Sequence, residues 1–229
     1  MTEREKILGR IREALTTKAP LPGHHGAPKT GVVNGKAPVG RASEWLPAVG
    51  DSLDERLARF RENAVALKAD FYLLNSRDEL AKLLIELRDT EHWKKIASHA
   101  GNLTDFAIQS LGLPVLKTDV AYDVNELEGC DVGITECDAL IAQTGSVLVT
   151  NRSAGGRALS VLPPHHVVVA RREQLLRDLP AAFQFLKQKY AGNYPSMMSL
   201  ITGPSRTGDI ERILVLGAHG PKKLTIFLI

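Results

Sequence analysis

The 229-residue sequence has little cysteine, few aromatic side chains and almost no net charge. Its two cysteines, Cys130 and Cys137, have no second pair beside them, which excludes a disulfide scaffold and a cluster held by four thiolates of this chain alone. They read as two reduced thiols of a cytoplasmic protein. Apolar runs such as Val167–Ala170 and Ile226–Ile229 fall far short of the roughly 18 residues a membrane span requires. No basic segment followed by an apolar core opens the chain, so nothing in it suggests secretion. The formal charge is +3, and its distribution is uneven. Residues 1–43 hold eight basic and three acidic groups, leaving 21 basic and 23 acidic groups for the rest. A body without positive excess is poorly suited to nucleic acid, whose phosphates dominate binding. At this length the chain can bury roughly 70% of its unfolded surface without a disulfide or metal staple.

Three segments differ in texture. Residues 1–17 read as an amphipathic helix, capped by Thr2 with Glu5 three positions on, and striped by Ile7, Leu8, Ile11 and Leu15. Residues 18–43 contain four prolines and five glycines, the composition of a linker. Residues 44–229 form the main domain, where helical periodicity alternates with short apolar runs.

In that domain, helices are expected over Leu53–Lys68, Asp78–Leu87, Thr104–Leu111 and Arg172–Tyr190. Ser76 caps the second, and Gly112 ends the third ahead of Pro114. Strands are expected at Phe71–Leu74, Lys95–Ser98, Val132–Thr135, Ala139–Ala142, Val147–Thr150, Val167–Ala170, Ile213–Leu216 and Leu224–Ile229. The alternation indicates an α/β fold, and hairpins near 139–150 and 213–229 would make its sheet mixed.

The densest run of special residues is Gly203-Pro204-Ser205-Arg206-Thr207-Gly208-Asp209. Small residues, hydroxyls and a guanidinium suit an anion, and they equally suit a short capped helix after a Gly-Pro turn. Gly203 and Gly208 have P-loop spacing. The Lys and Ser/Thr that should follow are Asp209 and Ile210, so a Walker nucleotide site is rejected. A second cluster joins Glu136 to the turn Thr144-Gly145-Ser146. A carboxylate at a strand end suits a base or nucleophile, and equally a cap on backbone N–H groups. His165, His166 and His219 stand at strand ends without zinc-site spacing, and no metal site is expected. Neither a Gly-x-Gly-x-x-Gly fingerprint nor a Gly-x-Ser-x-Gly elbow occurs.

Several of these motifs occur together in a recognisable order. Gly133-Ile134-Thr135, Ala142-Gln143-Thr144-Gly145-Ser146 and Pro163-Pro164-His165-His166-Val167-Val168-Val169 resemble the lactate utilization protein C (LUD domain) family. So do Ile201-Thr202-Gly203-Pro204-Ser205-Arg206-Thr207, Asp209-Ile210-Glu211 and Leu216-Gly217-Ala218-His219-Gly220-Pro221. The resemblance covers about residues 45–229. It implies a Rossmann-like α/β/α sandwich with a mixed sheet, akin to the sugar-phosphate isomerase and CoA-transferase superfamily. It also implies a cytoplasmic role in oxidising L-lactate to pyruvate beside two iron–sulfur partner proteins that carry the clusters, this chain carrying no cofactor of its own.

On that reading a small anionic ligand lies between the Thr144–Ser146 turn and the Gly203–Gly208 loop. Thr144, Gly145, Ser146, Gly203, Ser205, Arg206, Thr207 and Gly208 are its candidate binding residues, with Arg206 pairing the anion. Glu136, Asp209 and His219 are the candidate proton-transfer groups. Two other classes stay open: a non-catalytic assembly module of the same system, and a stand-alone enzyme acting on a sugar phosphate or acyl-CoA.

Overall fold

A computed structural model describes residues 3–16, 46–207, 215–217 and 219–229. The chain divides into two units, residues 1–41 and 42–229. In the first, helix α1 spans Glu3–Thr16, with Ile7 and Leu8 exposed; its expected cap Thr2 and the expected linker 18–43 lie outside the described residues.

The second unit is built around six parallel strands. In chain order these are β1 (Asp70–Leu73), β2 (Ile96–Ser98), β3 (Val115–Lys117), β4 (Val132–Thr135), β7 (His165–Ala170) and β12 (Lys223–Leu228). Their spatial order is β1-β12-β7-β4-β2-β3. Every residue of β7 is buried, as a parallel strand covered on both faces requires. Its alternate side chains sort cleanly between two cores. Val167 and Val169 join Val132, Ile134 and Phe227 beneath helices α3 (Arg77–Glu91) and α4 (Asn102–Leu111). Val168 and Ala170 join Ile226 and Leu228 on the other face, against Phe60 and Ala64 of helix α2 (Leu53–Ala66).

Local chemistry fixes the helix ends. Ser52 and Glu55 form a reciprocal capping box on α2. Ser76 accepts from the Glu79 N–H at the start of α3, and Gly112 closes α4 in the left-handed region at φ 61°. A short helix, α5 (Val124–Glu128), precedes β4.

A second sheet covers the α2 face. The hairpin β5 (Ala139–Ile141) and β6 (Ser146–Thr150) pairs antiparallel; β8 (Leu175–Leu176) adds parallel to β5, and β9 (Met198–Ile201) adds antiparallel to β6. Helix α6 (Leu179–Lys189) lies on its outer side, packing Ala182 and Leu186 against Ile141 and Leu148. Buried Asp138 ties that helix down by accepting from Lys189 Nζ at 2.7 Å and the Tyr190 hydroxyl at 2.6 Å. Burial pushes this carboxyl up, but the Lys189, Ser153, Tyr190 and Thr150 groups outweigh it and hold it below the ordinary carboxylate value.

The fold is thus α/β with mixed pairing, divided so that the six-stranded sheet is wholly parallel and the antiparallel pairs lie elsewhere. The expected hairpin at 139–150 is present. The one expected at 213–229 is not: β11 (Val215–Leu216) pairs with β10 (Arg206–Thr207), while β12 enters the parallel sheet between β1 and β7. The expected helix Arg172–Tyr190 is also broken. Arg172–Gln174 forms a single 3₁₀ turn, Leu175–Leu176 pairs with Leu140–Ile141, and α6 begins only after Asp178, whose carboxylate accepts from the Ala181 N–H. Pro180 sits in the first turn, where its missing N–H costs nothing. Among the described residues no helix is long and apolar enough to cross a membrane.

Docking of the hairpin turn onto α2 depends on one glycine. Asn63 Nδ2 donates to the carbonyls of Ala142 and Gln143, at 2.9 and 3.0 Å, and draws the turn onto the helix. Gly145 has φ 66°, and a Cβ there would stand 2.8 Å from the Ala64 backbone nitrogen. Gly112 is similar in φ, at 61°, but has open space around it. Gly112→Ala is therefore expected to cost about 1 kcal/mol of left-handed strain, and Gly145→Ala at least about twice that, because strain and backbone collision add. Urea midpoints of the two variants check this; equal losses would contradict the docking account.

Candidate functional site

The site begins at the amino end of β7, where two histidines enter the buried strand with side chains on opposite faces. His165 and His166 are 3% and 1% exposed. Each places Nε2 at 2.9 Å from a buried threonine hydroxyl, Thr225 for His165 and Thr135 for His166, and each leaves Nδ1 without a partner among the described residues. Burial pushes both imidazoles down, His165 to about 4 and His166 to about 3. For His165 the Glu91 carboxylate opposes burial without overcoming it; for His166 the neighbouring His165 adds to it. Both rings are neutral at physiological pH.

His166 lines a cavity of about 230 Å³ between the two sheets. Ser160, Ser199, Thr202, Ser205 and His219 are its other polar walls, and Val161, Met197, Ile201 and Leu224 are among its apolar ones. Close backbone approaches shape it. Gly133 lets the Leu159 carbonyl lie against the sheet, for a Cβ there would be 2.5 Å from that oxygen. Gly203 passes Leu67 at φ 82°, where a Cβ would be 2.7 Å from the Leu67 carbonyl. The Ser205 N–H donates to the Pro221 carbonyl and the Gly217 N–H to the Ser205 carbonyl, both at 2.9 Å, pinning the 203–205 loop beside the 217–221 segment. A neighbouring depression of about 360 Å³ shares Val161, His219 and Gly220 with the cavity and brings Lys222 and Glu128 to its surroundings.

A groove of about 360 Å³ between α6 and the second sheet is as large, but Lys187 and Tyr194 are its polar members and neither is buried in it. Converging polar groups mark a ligand site better than volume does, and only the His166 cavity joins such groups to a buried, unpartnered ring nitrogen among the described residues.

The candidate binding residues separate on this map. Gly203, Ser205 and His219 line the cavity. Arg206 is exposed on β10 and is not among the residues lining the cavity; its guanidinium lies 3.4 Å from the position of a Cβ on Gly203, on the side of that residue that meets Leu67. Thr207 is half-buried beside it. Ser146 reaches the cavity lining indirectly: its hydroxyl is held by Thr144 Oγ1 at 2.7 Å and Thr202 Oγ1 at 2.8 Å. A direct hydrogen bond thus joins the turn to Thr202, the residue before the Gly203–Gly208 loop, and Gly145 faces α2. Gly208 and Asp209 lie outside the described residues.

Glu136 has a different neighbourhood. Its Oε1 accepts from the Leu103 N–H at 2.7 Å, its Oε2 lies 3.8 Å from Arg171, and its own N–H donates to His99 Nε2 at 3.1 Å. It does for α4 what the N-cap Gly101 has no side chain to do. It is not among the residues lining the cavity. Ser160 and Ser199 escaped the sequence reading because no motif marks them, and Ser199 stands in a strand that periodicity does not reveal; Thr202 lies in the Ile201–Thr207 run but was not among the candidates.

Comparison with known proteins then decides the family. The LUD domain family model matches residues 57–229. The chain belongs to the LUD domain family. A lactate utilization protein C of Shouchella clausii is 30% identical over 179 residues, covering 75% of this chain and 78% of the relative. Another, from Anoxybacillus flavithermus, is 29% identical over 194 residues, covering 79% and 83%. A solved structure of a DUF162 family protein from Deinococcus radiodurans superposes with a TM-score of 0.60 over 78% of this chain and 99% of its own, at 19% identity. That last likeness concerns the fold alone. As a LUD domain, the chain keeps its family match across the whole parallel sheet and both loops of the cavity.

Two predictions follow from these contacts. Glu136→Ala is expected to lower stability by about 1–2 kcal/mol, and Glu136→Gln, which keeps an acceptor oxygen, by less than half as much. Unchanged melting of the Ala variant would remove the capping role. The buried histidines also impose a pH dependence. Their folded-state values lie below the ordinary 6.5, so the unfolded chain binds more protons as the medium acidifies. Their stabilisation is complete above about 6.5 and is lost as pH falls toward 4 for His165 and 3 for His166, by up to about 1.4 kcal/mol per pH unit for each ring. Urea midpoints between pH 7.5 and 4.5 should therefore fall more steeply for the wild type than for His166→Asn; parallel curves would refute the assignment.

Proposed function

We propose that this LUD domain is a cytoplasmic subunit of an L-lactate-oxidising system, acting beside iron–sulfur partner proteins and holding a small anionic ligand in the His166 cavity. The observation that carries the reading is the match, over three-quarters of the chain, to proteins named lactate utilization protein C. The cavity supplies chemistry in keeping with it. Ser205 and Thr202 offer hydroxyls, Arg206 follows Ser205 on the exposed strand β10 as the anion partner, and His219, exposed at the lining, is the proton-transfer candidate.

Converting a 2-hydroxy acid to a 2-oxo acid releases two electrons and two protons. The electrons are assigned to clusters on the partners. Cys130 and Cys137 are both buried, and burial pushes both thiols up, away from the thiolate form that cluster ligation needs. What remains for this chain is binding and orientation of the acid, with His219 as the group that takes up a proton. The parallel sheet with a second sheet on one face is in keeping with kinship to the sugar-phosphate isomerase and CoA-transferase superfamily. A second reading, a non-catalytic assembly module, draws support from the exposed apolar side chains Phe183, Tyr194, Met198 and Leu200 around the α6 groove.

Native purification from lactate-grown cells tests the reading. Iron-bearing partners and lactate-dependent dye reduction are expected to co-purify and to vanish when this chain is deleted. Arg206→Ala should lower that activity about tenfold or more with its melting temperature unchanged. An iron-free, inactive isolate from a tag-controlled preparation would overturn the subunit assignment. Full dye reduction by folded Arg206→Ala would overturn the anion placement.

A further inference from the structure

We infer that the open edge of β9 is a self-association surface: it pairs antiparallel with β9 of a second copy of this chain, about a two-fold axis at Ser199, and continues the second sheet from one molecule into the other. The inference does not depend on the ligand reading above.

One hydrogen bond fixes the direction of every backbone group in β9. The Asn151 N–H donates to the Met197 carbonyl at 3.2 Å, and the register sets Val149 opposite Ser199 and Val147 opposite Ile201. Bonded pairs recur at every second residue of an antiparallel ladder, so Met197, Ser199 and Ile201 turn their N–H and C=O groups toward β6. Met198 and Leu200 turn theirs the other way, where no strand pairs with β9 among the described residues. Side chains alternate with the same period. Met197, Ser199 and Ile201 line the cavity, whereas Met198 and Leu200 line the groove beside α6 and are 47% and 41% exposed. The other edges of the two main sheets are guarded. Asp70 opens β1, Lys117 closes β3, and the two-residue β8 has its Leu175 carbonyl taken by the Arg56 guanidinium at 3.2 Å. Met198-Ser199-Leu200-Ile201 contains neither a charge nor a proline. An unguarded apolar edge is a template for another strand.

A second copy carries the strand that fits this edge. Met198 opposite Leu200 of the second copy, and Leu200 opposite its Met198, uses every outward N–H and C=O of those residues, each pair exchanging two bonds. The two-fold axis then passes between the two Ser199 residues, perpendicular to the sheet, so the interface is isologous and outer faces stay outer. Each Met198 side chain lies beside a Leu200, and the two grooves merge between the two α6 helices. An uncharged strand meets its own copy without like-charge repulsion; Lys187, the charged residue of the groove, stands exposed on α6. Phe183, Tyr194, Met198 and Leu200 are 41–61% exposed. They offer on the order of 400 Å² of side-chain surface per copy. Two copies, with the strand edges added, reach roughly 1,000 Å², the small end of specific interfaces, and such a dimer dissociates in the roughly micromolar range. On the inner face the axis joins two residues that each line a cavity, so the dimer holds its two cavities side by side on one continuous sheet.

Sedimentation of the full chain between roughly 1 and 300 μM tests the association, and a shift from monomer to dimer is expected across that range. Leu200→Lys puts a charge opposite Met198 of the second copy and should raise the dissociation constant about tenfold or more. Leu200→Pro removes an N–H that points away from β6, so it should act alike with little change in melting temperature; the Lys variant guards against a Pro variant that does not fold. Ser199→Cys reads the register. Its sulfurs meet across a non-hydrogen-bonded pair with Cα atoms about 4.5 Å apart, and mild oxidation should lock the dimer covalently. Met198→Cys should not cross-link, because the two copies of that residue stand diagonally, more than about 7 Å apart. The native cysteines are buried and do not interfere. A chain that stays monomeric over the whole range overturns the inference and leaves the edge to a different protein. Undiminished dimerisation of Leu200→Lys, or cross-linking through Met198→Cys and not Ser199→Cys, overturns the β9 pairing.

Discussion

Burial of β7 on both faces is the constraint on which the rest of this structure hangs. Six consecutive residues, His165–Ala170, are inaccessible, and the strand stands between β12 and β4 at the middle of the parallel sheet. Its valines divide between the α3–α4 core and the α2–hairpin core, so neither layer can shift without opening the other. The same burial makes the two leading histidines costly. Each satisfies one nitrogen on a threonine of a neighbouring strand and leaves the other open, a price the fold accepts at two adjacent positions. On the Trp93 side an aromatic edge covers the ring; on the other side the ring borders a cavity.

Position within the fold sharpens the contrast. In open α/β sheets ligands gather at the carboxyl ends of the strands, often on a helix N-terminus. Here the N-terminus of α4 already has an anion, the Glu136 carboxylate delivered from the end of β4, with Arg171 beside it. Arg171 and Arg77 both donate to Asn102 Oδ1, so the carboxyl edge is knitted by its own side chains. The cavity lies at the opposite, amino ends of β7 and β12, made possible by the second sheet that overlies them. Analogy with doubly wound folds would direct attention to the carboxyl edge, whereas the polar-lined cavity lies at the amino edge, so the fold does not by itself specify a site.

Much of this was legible in the sequence wherever one local signal sufficed. Val132–Thr135 sets three β-branched residues around Gly133 between Asp131 and Glu136, and it forms the strand expected of it. Ser76 with Glu79, and Gly112 before Pro114, mark helix ends because their partners are three or four residues away. The misreadings share a cause of another kind. Leu175, Leu176, Leu179, Ala182 and Leu186 fit a helical stripe, but β5 offers an unpaired edge that captures Leu175–Leu176 and forces the helix to begin later. Likewise β12 is taken by β1 and β7, partners far away in sequence, and not by an adjacent hairpin. Glu136 is a cap whose recipient, Leu103, lies 33 residues upstream; spacing could offer base or cap without choosing. The Gly203–Ser205 loop was visible as a run of small residues, while His166, which lines the same cavity, became distinctive only once its burial and its half-filled hydrogen bonding were known.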